Sequence, residues 1–169
     1  MKGRWVVLGV LAAAALAVLP LTSRADDDDE ERSPHRRRGG EAAARDSPVW
    51  KTYEAECGGC HLAYPPRMLP GASWAKLLGG LEDHFGQNAE LDAQTREVLR
   101  TYLEANAGPD RGETPLRITE LRFWRREHRK LPAEVWRRKA VGTRANCQAC
   151  HRSADQGSFD EDGVRIPKG

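Results

Sequence analysis

The chain has 169 residues, with 27 Lys and Arg against 25 Asp and Glu. That length allows one domain or two very small ones. Charge this evenly balanced, with no basic and aromatic residues interleaved as in a known module, argues against nucleic-acid binding, and no apolar run reaches the roughly 20 residues of a membrane span.

The first segment reads as an export signal. Lys2 and Arg4 give a basic start, Val6 to Leu21 is a run of 16 almost wholly apolar residues, and Ser23-Arg24-Ala25 offers small residues for a signal peptidase. Residues 1–25 are therefore expected to be a signal peptide directing the chain to the periplasm. An uncleaved signal would be its one route to a membrane. Removal takes away three basic residues and no acid, leaving 24 basic against 25 acidic. Residues 26–46 run from Asp26-Asp27-Asp28-Asp29-Glu30-Glu31 through Arg36-Arg37-Arg38-Gly39-Gly40 without hydrophobic periodicity. They read as a disordered charged leader, with His35 solvated.

Order is expected from Ser47, which can cap a helix that Pro48 suits in its first turn and that carries Trp50, Tyr53 and Ala55 on its apolar side. The proline-rich stretch 64–71 reads as a loop. Ser73 is expected to cap a second helix bearing Trp74, Leu77, Leu78, Leu81 and His84. Asp92 then caps a third, with Val98, Leu99, Tyr102 and Leu103 on one face and an end by Gly108-Pro109. Residues 109–116 read as a boundary between a first domain, 47–110, and a second, 111–169. In the second, Ile118, Leu121, Trp124 and His128 fall at helical spacing. Pro132 starts a short helix with Val135, Trp136 and Ala140, and the tail from Ser153 reads as irregular. No alternating strand pattern is found, so the expected class is all-α.

Charge is unevenly spread. Residues 26–110 hold 10 basic and 17 acidic side chains, whereas residues 111–152 hold 12 basic and 4 acidic. Two solvated faces of opposite sign account for this, as does a basic surface that steers an acidic partner.

All four cysteines lie in two copies of one pattern, Cys57-Gly58-Gly59-Cys60-His61 and Cys147-Gln148-Ala149-Cys150-His151. Cysteines three apart on a helical turn can form thioethers with the two vinyl groups of one haem, and the following histidine can face its iron. Two haem c groups are the cofactors so indicated. Their flat apolar bodies would also fill the thin core of so polar a chain. Zinc, a redox dithiol and disulfides compete poorly. Zinc ribbons keep their cysteine pairs about 15–20 residues apart, against 86 residues here, and no strand–helix context for a dithiol is present.

Each iron then needs a further ligand, from His84, His128, Met68 or His35. His84 extends the stripe of Leu77 and Leu81, and His128 that of Leu121 and Trp124. An ionisable ring ending an apolar stripe needs a buried partner, and an iron is one. Met68, seven residues past His61, is read as packing. Chain distance pairs His61 with His84 and His128 with His151, each 23 residues apart. The alternative is crossed pairing. Two histidines per iron leave no open site, which favours electron transfer over catalysis.

The flanking residues carry a resemblance. Cys57 to His61, Tyr64-Pro65-Pro66, Leu69-Pro70, Ser73-Trp74 and Asp83-His84-Phe85-Gly86, followed by Arg117-Ile118-Thr119, Arg126-Glu127-His128 and Asn146 to His151, resemble the dihaem cytochrome c family of purple bacteria and related proteobacteria. The resemblance covers roughly residues 48–152. It implies an N-terminal class I cytochrome c-like part, a small C-terminal helical haem-binding part, and bis-histidine ligation by His61 with His84 and by His128 with His151. It also implies redox partners: a high-spin monohaem cytochrome c and a membrane cytochrome b. The rival readings are the electron-transfer small subunit of a periplasmic nitrate reductase, a haem enzyme or gas binder with one open iron, and an interaction module with a structural metal.

Overall fold

The computed structural model describes residues 45–168. The expected signal peptide, nearly all of the charged leader and His35 lie outside these residues.

Ser47 caps the first helix as its type and position require. Its hydroxyl accepts from the Trp50 amide at 3.2 Å, and α1 runs Pro48–Cys57. The buried face of α1 is Trp50 and Tyr53, while Ala55 is exposed. Arg45, ahead of the cap, already lays its guanidinium over the Trp50 ring at 4.3 Å and donates to the Asp155 carbonyl. The proline-rich stretch makes one 3-10 turn, Pro66–Met68.

Helix α2 runs Gly71–Leu78. It starts earlier than the Ser73 cap expected from sequence, because the Pro70 carbonyl already accepts the Ser73 and Trp74 amides at 3.0 and 3.2 Å. Ser73 is instead fully buried inside the helix. The helix also stops earlier than the Leu77–Leu81–His84 stripe implies. Gly79 and Gly80 break it, and Leu81–Asp83 continue as a separate 3-10 turn. Glycine in a helix interior costs about 1 kcal/mol, and two in succession favour a break. Helix α3, Ala93–Ala105, is capped as expected, with Asp92 Oδ1 accepting from the Gln94 and Thr95 amides at 3.0 and 2.9 Å.

The core of this half is α2 against α3, with α1 also packed on α3. Leu99 and Leu103 of α3 are fully buried beside Trp74, Leu77 and Leu78, whereas Val98 is on the surface. Burying a leucine contributes about 1.5–3 kcal/mol, so α3 is held by this stripe. One close approach closes the layer. Gly108 donates to the Leu69 carbonyl at 2.9 Å, and a Cβ there would meet the Arg67 carbonyl oxygen at 2.1 Å.

The second half has less regular structure. Ile118–Glu120 form a 3-10 turn, and Leu121 is extended at ψ 141°. Ile118 therefore does not belong to α4, which runs Arg122–His128. Glu113 accepts from the Arg122 amide at the head of α4 and pairs with its guanidinium at 2.8 Å. Helix α5, Ala133–Trp136, follows Pro132, and Ala140 lies beyond it, exposed. The tail is irregular, as expected, but anchored. Arg165 donates its amide to the Cys150 carbonyl at 2.8 Å, His151 pairs with Val164 in an isolated bridge, and Arg138 donates to the Pro167 carbonyl at 2.6 Å.

Among the described residues the only bridges are Pro70 with Gly108 and His151 with Val164. The all-α class is borne out. The two halves touch: Leu121 and Trp124 join the buried cluster of Trp50 and Leu99, and Arg67 donates to the Gly157 carbonyl at 3.0 Å.

Candidate cofactor sites

The four motif and partner histidines come together in two pairs. Cys57 is the last residue of α1, so the chain turns through Gly58 and Gly59 and brings Cys60 and His61 out beside it. His84 follows the Leu81–Asp83 turn. The ring centroids of His61 and His84 are 6.1 Å apart. In the second half His128 ends α4, and Cys147–Ala149 form a 3-10 turn leading to His151. These two rings are 6.2 Å apart. The contacts pair His61 with His84 and His128 with His151, not crosswise.

Two imidazoles on opposite sides of one metal, each bonded at about 2 Å through a nitrogen about 1.1 Å from its ring centre, would have centroids about 6.2 Å apart. Both pairs fit that spacing. The plane angles differ, 30° in the first pair and 70° in the second.

Each ring has an orienting neighbour. His61 stacks with Tyr64 at 5.1 Å and has Nδ1 at 2.8 Å from the Leu62 carbonyl. His84 leans on Phe85 at 4.8 Å. His128 stacks on Trp124 at 4.2 Å, and its Nδ1 lies 2.8 Å from the Trp124 carbonyl. His151 leans on Phe159 at 5.4 Å. An Nδ1–H donated to a carbonyl fixes the tautomer that leaves Nε2 free for a metal. Burial holds the His84 and His151 pKa values below the ordinary imidazole range, helped by the facing histidine in each case and by Arg117 at His84. Neutral rings are the ones that can bind iron.

All four cysteines are free of disulfides. Burial pushes Cys57 and Cys147 up to about 11, so each stays a neutral S–H at neutral pH. Among the described residues no three His, Cys, Asp or Glu side chains gather as a metal cluster.

Met68 is half-buried along a surface cleft with Leu69, Pro70, Leu121 and Phe123, in keeping with a packing role. Among the aromatic residues, Phe85, Trp124 and Trp136 lie beside the histidines. Trp50, Tyr53 and Trp74 instead form the helical core. Three residues at the sites had been given no role there from sequence: Tyr64, Phe159 and Arg117, the last with its guanidinium 3.8 Å from the Phe85 ring centre. Tyr64 carried one signal, its place three residues past His61. Arg117, like Tyr64, stands within the motifs that carry the family resemblance, and Phe159 carried no signal.

Comparison with known proteins gives the decisive observation: the family model described as Dihaem cytochrome c matches residues 53–159. The chain belongs to the dihaem cytochrome c family. A dihaem cytochrome c from Shewanella baltica OS155 is similar in structure at TM-score 0.65 and 40% identity, covering 72% of this chain and 95% of that one. Two dihaem cytochrome c structures from Rhodobacter sphaeroides each reach TM-score 0.59, at 39% and 36% identity. Both cover 64% of this chain and 96% and 95% of their own. No curated protein sequence matches.

As a dihaem cytochrome c the chain carries two haem c groups and is a haem-based electron carrier. Such an iron takes up and releases one electron, at a potential set by its axial ligands and their hydrogen bonds. Cys57 and Cys60, then Cys147 and Cys150, would be the sulfurs that hold the two groups.

Proposed function

We propose that this cytochrome is a periplasmic relay that passes single electrons between redox proteins and is not itself an enzyme. In this reading both haems are six-coordinate and low-spin, with His61 and His84 on the first iron and His128 and His151 on the second. The observation that carries it is the pairing of the imidazoles at 6.1 and 6.2 Å, each pair containing the histidine of one Cys-x-x-Cys-His motif. With both axial positions filled, substrate has no place on either iron. Among the described residues no helix is long and apolar enough to cross a membrane. The basic, apolar start of the sequence is the feature that supports export.

The partner side of the reading rests on charge. Arg125, Arg129, Lys130, Arg137, Lys139 and Arg144 are all exposed, in the stretches of chain that flank His128 and Trp136. Arg144 lies 5.5 Å from the ring centre of Trp136, which itself lies 5.9 Å from His128. A surface of this sign steers an acidic redox protein toward the second haem. The family resemblance supplies two candidates, a high-spin monohaem cytochrome c and a membrane cytochrome b, and the rival small-subunit reading adds a periplasmic reductase.

The test is an optical spectrum with haem quantitation, oxidised and reduced, on the wild type and on His84→Ala and His128→Ala. Two low-spin haems are expected in the wild type and one high-spin iron in each variant. A variant that stays fully low-spin removes that histidine as a ligand. A carbon monoxide shift in the wild type favours an open iron and a catalytic or gas-binding role.

A further inference from the structure

Tyr64 touches both cofactor sites, and electron carriage as such gives it no role. Its ring stacks on His61, with centroids 5.1 Å apart and planes 25° from parallel. Its hydroxyl donates to the Ala145 carbonyl, 81 residues further along the chain, at 2.8 Å. That carbonyl lies two residues before Cys147, whose Sγ is 3.6 Å from the same oxygen. One side chain therefore runs from the motif histidine of the first site to the attachment cysteine of the second.

The backbone holds Tyr64 in this position. Pro65 follows it, which confines Tyr64 to extended conformations, and both Pro65 and Pro66 are buried. The hydroxyl of Tyr53, itself buried in the helical core, donates to the Tyr64 carbonyl at 2.9 Å. The ring thus projects from a fixed point, and its two contacts are set by the fold.

We propose that Tyr64 is a positioning residue for electron exchange between the two haems, fixing the His61 plane with its ring and the Cys147 segment with its hydroxyl. The proposal rests on the relay reading above. In the step it serves, one electron leaves a ferrous iron, which becomes ferric, and enters the other iron, which goes from ferric to ferrous. Tyr64 keeps its proton and is not oxidised. Its contribution is a fixed, packed and hydrogen-bonded contact where a mobile gap would weaken the electronic coupling.

The experiment compares the full haem-loaded protein with Tyr64→Phe and Tyr64→Leu. Three things are measured: interhaem exchange after flash photoreduction of the oxidised protein to its half-reduced form, the ferric electron paramagnetic resonance spectrum, and amide hydrogen exchange at Ala145–Cys147. Tyr64→Phe keeps the ring and loses the hydroxyl. It is expected to speed amide exchange at 145–147, slow electron exchange severalfold and leave the spectrum of the first haem unchanged. Tyr64→Leu is expected to slow electron exchange at least tenfold and to shift that spectrum as the His61 plane is released. If Tyr64→Leu does not fold, the Tyr64→Phe rates decide. Exchange at the wild-type rate in the variants overturns the proposal, even if their melting temperature falls, because that would be a structural role alone. A wild type with two low-spin haems but no exchange between them overturns the relay reading and this proposal with it.

Discussion

The two cofactor sites share a motif and differ in what the protein builds around them. The first adjoins a packed helical layer whose centre, Leu99 and Leu103, is closed to solvent. The second sits among short turns, with Leu121, Trp124, Val135, Val141 and Ala154 as its buried apolar residues, and is tied by backbone bonds such as Arg165 to Cys150. In one half the protein supplies a core that a haem extends. In the other a haem would supply much of the apolar core, beside Leu121 and Trp124, which the two halves share. Small units that bury little apolar surface need such a staple.

That contrast can be broken in several ways. The largest effect is expected from removing covalent attachment. A variant with all four cysteines changed to alanine should lose most of its helix by circular dichroism. Cys147→Ala/Cys150→Ala alone should lose amide-exchange protection across 111–168 while α2 and α3 keep theirs. Equal loss in both halves would refute the asymmetry.

The ligand planes sharpen the comparison next. Imidazoles near parallel separate two iron d orbitals and give a rhombic low-spin signal, whereas near-perpendicular ones leave those orbitals almost degenerate and give a strongly anisotropic signal. With angles of 30° and 70°, the ferric protein should show one signal of each kind. His84→Ala should remove the rhombic one and His128→Ala the anisotropic one. Two identical signals would count against the geometry.

Within the first half, Leu99→Ala leaves a cavity in a closed layer and should cost about 2–5 kcal/mol in denaturant unfolding. The smallest effect is expected from Ser47→Ala, which removes the α1 cap and should cost about 1 kcal/mol with both haem spectra unchanged. A spectral change at the first haem would mean that α1 positions Cys57 more tightly than its cap implies.

Much of this was legible where the physics is local. Ser47 and Asp92 cap their helices because a hydroxyl or carboxylate reaches amides two or three residues away. The two Cys-x-x-Cys-His motifs announce their chemistry by spacing. Legibility failed where an element is decided by the rest of the fold. The stripe Leu77, Leu81, His84 reads as one helix, yet Gly79 and Gly80 end it, His84 comes after a separate turn, and Phe85 follows it at φ 58°. A phenylalanine in that left-handed region is uncommon, and nothing in its neighbours announces it. Ile118 and Trp124 likewise share a period but not a helix, because Leu121 is extended between them. Phe159 reaches His151 only because the tail folds back, which no periodicity records.

Position 108 tolerates almost nothing, although it is far in sequence from every haem-bearing residue. Any side chain there would have to prise the 66–70 segment off the end of α3, since the first carbon alone would land 2.1 Å from the Arg67 oxygen. That segment includes the Pro66 carbonyl, which the Trp74 indole grips at 2.8 Å, and it continues directly from Tyr64, whose ring lies on His61. An inherited change at this glycine would therefore surface as a blurred first chromophore and a leaky contact between the two halves.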